Sequence, residues 1–510
     1  MKKRALHLSS WLLLAIAAVL VSACTRVLTS DAEPWSAESS SPTHQAAAGD
    51  AFDPDTTARP PGAPILSPTP DEAHTIPGLR TEPTEHVVRS GDTLGQLADR
   101  YGVSVEAIAE ASNIADVNVL EVGQTLVIPV PNPVARGPAF KIIPDSELVA
   151  GPPTAYFDVA DFVYAQDSYL LRYEEEVDEQ VMAGYQIVQR IAQDYSLNPR
   201  LLLAVLEYQS GWVTRSEPRE DTLSYPLGWE DPALEGLYRQ LAWTANELNR
   251  GYYLWRVNGI GSWVLPDGVV VPVDPTINAG TAALQYFFSN LYTQEIWERT
   301  VGSEGVYAKY FQLFGYPFDY AHEPLLPDGL AQPSMQLPFE KDAVWAFTGG
   351  PHGGWGSGSA WAALDFAPHV EELGCASSDE WVTAMADGLV VRSANGAVVL
   401  DLDGDGLEQT GWTILYMHVE DRDRVEVGQA LEAGDRLGHP SCTGGVSSGT
   451  HVHVARRYNG EWIPADQEIP YVLDGWVSVS TGESYEGVLQ KGERTVVADN
   501  GATPENAIQR

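Results

Sequence analysis

Five residues between Gly349 and Arg457 are of types that bind metals and move protons, and their spacing can gather them. His352 and Asp365 bracket the stretch HGGWGSGSAWAALD, His418 sits in TILYMHVED, and His451 and His453 lie in SSGTHVHVARR. Strands send alternate side chains to one face, so His451 and His453 in an extended THVHV run point the same way. With His352 and Asp365 they offer two imidazole nitrogens and a carboxylate, ligands that suit a tetrahedral Zn²⁺. Three protein ligands leave the fourth position open for water, the mark of a catalytic rather than a structural zinc site. The chain has 11 histidines in 510 residues, and four of them fall in this group, so composition alone explains it poorly. His322, His369 and His439 read as ordinary loop residues.

The segment from about Val344 to Asp466 resembles lysostaphin-type peptidoglycan endopeptidases, nearest their beta-lytic branch. In that branch a long Gly- and Ser-rich loop separates the first histidine from the aspartate of an LDF motif, as between His352 and Asp365. The resemblance implies a metal held by His352, Asp365 and His453, with His418 and His451 given to catalysis. It also implies a substrate of peptide bonds in cell-wall stems or cross-bridges. Zinc at such a site lowers the pKa of water to about 7 and polarises the scissile carbonyl. The two other imidazoles would hydrogen-bond the water and the developing oxyanion and shuttle the proton.

The amino terminus agrees with work outside the cytoplasm. Lys2, Lys3 and Arg4 precede an apolar run from Trp11 to Leu20, closed by Val21-Ser22-Ala23-Cys24. This reads as a signal peptide over residues 1–23. The final tetrad resembles the lipobox of bacterial lipoproteins, which implies lipidation of Cys24. A simple secretory signal and an uncleaved anchor are the alternatives, although the run is short of the roughly 20 residues a span needs. The net charge of −40 and the pI near 4.4 exclude phosphate-based nucleic-acid binding and adhesion through a basic surface. The only membrane partner expected is therefore a lipid anchor. If Cys24 carries lipid, Cys375 and Cys442 remain as a disulfide pair in an oxidising compartment, or as two buried thiols. Residues 25–84, rich in Pro, Ala, Ser, Thr and acid, bury too little apolar surface to order and read as a stiff, disordered tether.

Residues 85–131 alternate as a strand near His86, show two helical patterns, and close with a strand over Gln124 to Pro129. Asp92 or Ser90 can cap the first helix. This βααβ pattern, with its GDTL and VGQTLVIP runs, resembles the lysin motif (LysM), which binds N-acetylglucosamine-containing glycans. The resemblance points to sugar contacts at Gly91, Asp92, Thr93, Leu94, Asn113 and Ile114.

Residues 145–335 carry apolar residues at helical steps and are dense in aromatics, notably Trp212, Trp229, Trp243, Trp255, Trp263 and Trp297. YSLNPRLLLAVLEYQSGWV resembles the first catalytic helix of lysozyme-like lytic transglycosylases. Gln209 stands where the acid glutamate belongs, and glutamine cannot supply the proton for glycosidic cleavage. Glu207, two residues earlier, should face elsewhere on a helix. The expectation is a degenerate lysozyme-like domain that binds or positions glycan, with its tryptophans either stacking on sugar or filling the core.

In residues 340–480, GLVVRSA, AVVLDLD and WTILYMHV alternate as strands of an antiparallel sheet. Asp401, Asp403 and Asp405 place three carboxylates at alternate positions, as in a calcium loop, although Trp412 occupies the twelfth position. An acidic turn without metal is the alternative. VEVGQALEAGDRLGHPSCTGG resembles the family's hairpin before the H-x-H strand, and residues 481–510 read as a polar, weakly structured tail. The chain is thus expected to be a multidomain α+β protein: a βααβ LysM module, a mostly α lysozyme-like domain and an antiparallel-β metallopeptidase domain. Its expected role is an exported zinc endopeptidase acting on peptidoglycan. A non-catalytic wall-binding activator and a muramidase using Glu207 are the competing classes.

Overall fold

The computed structural model describes residues 68, 71, 73–89, 91–368 and 374–510. The signal segment, Cys24, most of the tether, Ser90 and His369 lie outside the described residues. None of the helices among the described residues is long and apolar enough to cross a membrane.

The first module is the expected βααβ unit: β1 (Thr84–Val87), α1 (Leu94–Tyr101), α2 (Val105–Ser112) and β2 (Thr125–Ile128), with β1 antiparallel to β2. Leu94, Leu97, Ile108, Leu126 and Ile128 form its core. Of the two residues expected to cap α1, Asp92 does not, and Ser90 lies outside the described residues. Thr93 Oγ1 accepts from Gln96 N at 3.2 Å, because the Asp92 carboxylate is already taken by His86 Nε2 and by Arg89 N at 2.8 and 2.7 Å. The stretch just before the module is docked, contrary to the expected tether. His74 stacks on Trp255 with ring centroids 4.5 Å apart, and Arg80 donates to Pro129 O at 2.6 Å.

The helical region runs α3 (Val159–Gln166), α4 (Tyr169–Arg172), the hairpin β3 (Glu174–Val177) and β4 (Gln180–Ala183), α5 (Gly184–Tyr195), α6 (Pro199–Ser210) and α7 (Leu237–Arg256). The hairpin β5 (Ser262–Val264) and β6 (Val270–Pro272) follows, then α8 (Ala279–Ser289), α9 (Gln294–Thr300) and α10 (Val306–Phe314). α6 shows how the sequence sets its own limits. Asn198 caps it, Pro199 opens it, and Gly211 ends it at φ 73°. α7 and α8 lie close because residue 251 is glycine; a Cβ there would stand 2.9 Å from Ala283 Cα.

The third region is built on an antiparallel sheet of β7 (Val344–His352), β8 (Ala363–Pro368), β10 (Gly388–Ala394), β11 (Ala397–Asp401), β12 (Trp412–Met417), β13 (Ala430–Leu431), β15 (Val452–Tyr458), β16 (Glu461–Trp462) and β21 (Ala507–Gln509). The strand order is β13-β10-β11-β12-β15-β8-β7-β21, with β16 hung on β15. β9 (Val382–Thr383) pairs with β14 (Arg436–Gly438), whereas β13 pairs with β10. The stretch expected to form one hairpin is therefore split between two sheets. The expected polar tail is folded too. β17 (Val472–Leu473), β18 (Trp476–Ser480), β19 (Gly487–Lys491) and β20 (Arg494–Val497) form a four-stranded sheet, and Ile508 is fully buried.

The period of two divides the central sheet cleanly. Leu364, Val398, Leu400, Ile414, Tyr416 and Val454 pack into one core. Ala363, Ala397, Val399, Leu415, Met417 and Ala455 on the opposite face join the core of the helical region. Covering on both faces accounts for the near-continuous apolar runs of β11 and β12. The seam is also polar. Arg392 bonds Asp194 and Glu408 at 2.8 Å each, and Arg457 bonds Glu408 at 2.6 Å. Burial opposes the Glu408 charge, but the two guanidinium groups outweigh it and hold the carboxyl below its ordinary range.

Candidate metal centre and cleft

Three neighbouring strands bring the predicted ligands together on the sheet face that meets the helical region. His453 of β15 lies directly opposite Asp365 of β8, and Gly349 of β7 opposes Asp365 from the other side. A Cβ on Gly349 would stand 2.5 Å from Asp365 Oδ2, so glycine there makes room for the carboxylate. Register shifts between Phe347 and His352 re-aim the end of β7, as bulges do beside active sites, and deliver His352 to the same point.

His352 Nε2 and His453 Nδ1 lie 3.3 and 3.2 Å from Asp365 Oδ1 and 2.9 Å from each other. The remote ring nitrogens fix the tautomers. His352 Nδ1 faces Gly350 O at 2.8 Å and His453 Nε2 faces Gly354 O at 3.0 Å. A carbonyl can only accept, so these nitrogens carry the hydrogens, and the neutral rings turn lone pairs toward Asp365. Asp365 Oδ1 is buried and has no hydrogen-bond donor. Three buried acceptors converging on one point need a shared proton or a cation, and the two-imidazole, one-carboxylate set fits Zn²⁺. Without a cation a shared proton takes its place: burial opposes the charge of Asp365, yet His352 and then His453, when protonated, hold its carboxyl well below the ordinary range. Burial works against protonated His352 as well, but Asp365 raises it overall. Burial lowers His453.

His418 and His451 stand beside this point, with ring centroids 4.4 Å apart. β12 ends at Met417, and His418 turns out of the strand at φ 63°. His418 Nδ1 donates to Thr443 O at 3.0 Å and His451 Nδ1 to Gly449 O at 2.8 Å, which leaves each Nε2 free to accept a proton. His451 Nε2 lies 3.8 Å from Asp365 Oδ1. Burial, then the neighbouring His451 and His453, push His418 down to about 3, so it is neutral at physiological pH. Cys375 and Cys442 form a disulfide that fastens the loop preceding His451. His439 is buried against Trp381, outside the cluster.

Other expectations fare unevenly. Trp212, Trp255, Trp263 and Trp297 are core residues, whereas Trp229 and Trp243 are half-buried and stack on each other 4.8 Å apart. The Glu207 carboxylate accepts from Val213 N, Thr214 N and Thr214 Oγ1 at 3.1, 3.0 and 2.7 Å; it closes the end of α6 and offers no acid to a cleft. Leu94 sits in the LysM core, whereas Gly91, Thr93 and Asn113 are exposed and Ile114 is half-buried. Asp401, Asp403 and Asp405 gather their carboxylates. Asp401 accepts from Asp403 N and Gly406 N, and Asp405 accepts from Leu407 N, bonds internal to the turn.

Sequence reasoning missed two groups at the site. Tyr485 lies flat on His352, with ring centroids 4.1 Å apart and planes at 17°. Its backbone exchanges bonds with the end of β7, Gly350 N to Tyr485 O at 2.7 Å and Tyr485 N to Pro351 O at 3.1 Å. Asn246 and Arg250 of α7 hold the loop after His352: Gly358 N donates to Asn246 Oδ1 at 2.8 Å, and Arg250 donates to Ser357 Oγ at 3.0 Å. Nothing local in the sequence marks either group. Each acts across a gap of more than 100 residues.

An antiparallel sheet thus presents two imidazoles and a carboxylate at one point, a set that could hold a metal ion, with two further imidazoles alongside. Comparison with known proteins agrees. Residues 373–465, which include His418, His451 and His453, match peptidase family M23; His352 and Asp365 precede the matched stretch. Residues 86–129 match the LysM domain, and residues 141–325 match the N-terminal domain of LasA. Protease LasA of Pseudomonas aeruginosa is 29% identical over 295 residues, covering 53% of this chain and 65% of the relative. The beta-lytic metalloendopeptidase of Achromobacter lyticus is 27% identical over 168 residues, covering 31% of this chain and 41% of the relative. Among solved structures, the deep-sea M23 metalloprotease pseudoalterin aligns at 24% identity with a TM-score of 0.28, covering 33% of this chain and 96% of that one. The chain thus spans just under two thirds of the length of the LasA relative.

Proposed function

We propose that this chain is an exported hydrolase that cleaves peptide bonds of peptidoglycan with a single zinc ion held by His352, Asp365 and His453. The observation that carries the reading is the convergence of His352 Nε2, Asp365 Oδ1 and His453 Nδ1 within 3.3 Å of one another. Bound there, zinc would supply a Lewis acid for the scissile carbonyl and acidify a water. The protein supplies the rest. Gly350 O and Gly354 O hold the two ligand imidazoles in the tautomer that turns a lone pair inward. His451 Nε2 is the free base of the cleft, positioned to take a proton from water and return it to the leaving amine, while His418, kept neutral, accepts a hydrogen bond through its Nε2. The LysM module retains the enzyme on N-acetylglucosamine-containing glycan, with Gly91, Thr93 and Asn113 as its exposed contacts. Export, with lipid on Cys24 on the outer face of the membrane, rests on the sequence of the first 24 residues.

Neither competing class gains support. Glu207 is engaged in closing α6, which disfavours a muramidase, and a non-catalytic scaffold has no use for five convergent titratable side chains. The test is digestion of purified cell wall, with and without a chelator, by the wild type and by His453→Ala. New amino groups that vanish with chelator and in the variant are the expected result. New reducing sugar ends, or clearing that survives both treatments, would overturn it.

A further inference from the structure

The cleft at the metal centre does not belong to the peptidase sheet alone. One open cleft of 3460 Å³ is lined both by His352, His418 and His451 and by Arg89, Gly91 and Gln96 of the LysM module. Pockets for small ligands hold roughly 300–1,000 Å³, so this one is sized for an extended chain. The two sets of residues are also joined. Arg89, just after β1, forms an ion pair with Glu483 in the turn before β19, two residues from the Tyr485 that stacks on His352. Of the residues expected to touch sugar, Gly91 and Asp92 therefore face the same space as the groups expected to act on peptide, whereas Thr93, Asn113 and Ile114 lie outside its lining.

We propose that this cleft binds a peptide still attached to its glycan, the sugar lying against the Gly91–Gln96 end while the peptide of the same molecule reaches the histidines. The histidine end rests on the peptidase reading above. The chemistry of the lining suits such a mixed ligand: the charged Arg89 and Asp92 beside Gly91 from the LysM module, and the aromatic rings of Tyr195 and Trp355 elsewhere in the same lining. Two modules reading one molecule make the second contact intramolecular, which raises affinity by about 10²–10⁴ over either part when the geometry permits both.

The experiment uses the full chain carrying His451→Ala to stop turnover, and measures binding by calorimetry. The probes are a soluble glycan oligosaccharide bearing its peptide, the same peptide released by an amidase, and the stripped glycan. The linked ligand is expected to bind at least about 100-fold tighter than either part. Equal affinity for the linked ligand and the better of its parts would overturn the proposal. Gln96→Trp, on the exposed face of α1, should fill the LysM end and bring the linked ligand down to the affinity of the free peptide; an unchanged value would also overturn it. Failure of the peptidase reading is separately visible. In that case the wild type leaves both peptides intact even where the linked ligand binds tightly.

Discussion

Asn246 Oδ1 accepts the backbone N–H of Gly358 at 2.8 Å, which fastens helix α7 to the loop between His352 and Asp365. That loop also carries Gly354, whose carbonyl accepts from His453 Nε2 at 3.0 Å. The helical region therefore reaches the metal centre through two hydrogen bonds in series, as an outer shell for His453. Removing outer-shell partners of metal ligands costs about 10–100-fold in metal affinity or activity. Asn246→Ala is expected to weaken zinc binding by about 10-fold, read by competition with a chromophoric chelator, and to lower kcat more than it raises KM. Asn246→Asp keeps the accepting oxygen and should restore most of both. Equal zinc affinity in all three proteins would show that the loop holds itself.

Tyr485 makes a second prediction. It shields one face of the His352 ring and meets the end of β7 through its own backbone. An offset aromatic stack contributes about 0.5–1.5 kcal/mol. Tyr485→Ala should free the imidazole and lower zinc affinity by about 2- to 13-fold, which is that energy expressed as a ratio. Tyr485→Phe keeps the stacking surface and should bind zinc as the wild type does. A loss in the phenylalanine variant equal to that in alanine would transfer the role from the ring to the hydroxyl.

The places where sequence and structure agree share a physical reason. His451, His453 and the LDF aspartate declared themselves because strand alternation is local, and the βααβ module because its helices and strands each fit within a few residues. What was illegible depends on pairing at a distance. β19, β20 and β21 read as a polar tail because edge strands with one wet face carry few apolar residues, yet Ile508 and Val496 anchor them. The tryptophans of the helical region could not be divided between core and surface from sequence, since helical spacing fits both. Partnership settled it: Trp263 Nε1 donates to Gln285 Oε1 at 2.9 Å inside the core, whereas Trp229 and Trp243 stack on each other at the rim.

Gln209 tests whether the lysozyme-like resemblance of α6 hides a recoverable acid. Its amide donates to Leu227 O at 2.7 Å, and its oxygen accepts from Tyr292 Oη. A carboxylate there would set one oxygen against the Leu227 carbonyl, two acceptors with no proton between them. Leaving such a buried group unsatisfied costs about 1–3 kcal/mol. Gln209→Glu is expected to lower the unfolding free energy by that amount and to release no reducing ends from purified wall. Reducing ends from the variant would restore a glycosidase cleft to the helical region.

Asp403 carries the last prediction. Partial burial, then its hydrogen bond and repulsion from Asp401, push its carboxyl up to about 7. A raised acid favours the fold only while protonated, so its contribution is whole below the ordinary carboxylate range and is lost as pH rises through 7. The melting temperature of the wild type should therefore fall between about pH 6 and about pH 8 relative to Asp403→Asn, which has no proton to lose there. Calcium discriminates the two readings of this turn. A bound Ca²⁺ would favour three ionised carboxylates and cancel the fall, whereas a turn that needs no metal keeps it. Calorimetry of both proteins across that range, with Ca²⁺ and with a chelator, reads the difference. A parallel pH dependence in wild type and variant would show that Asp403 does not titrate near neutrality.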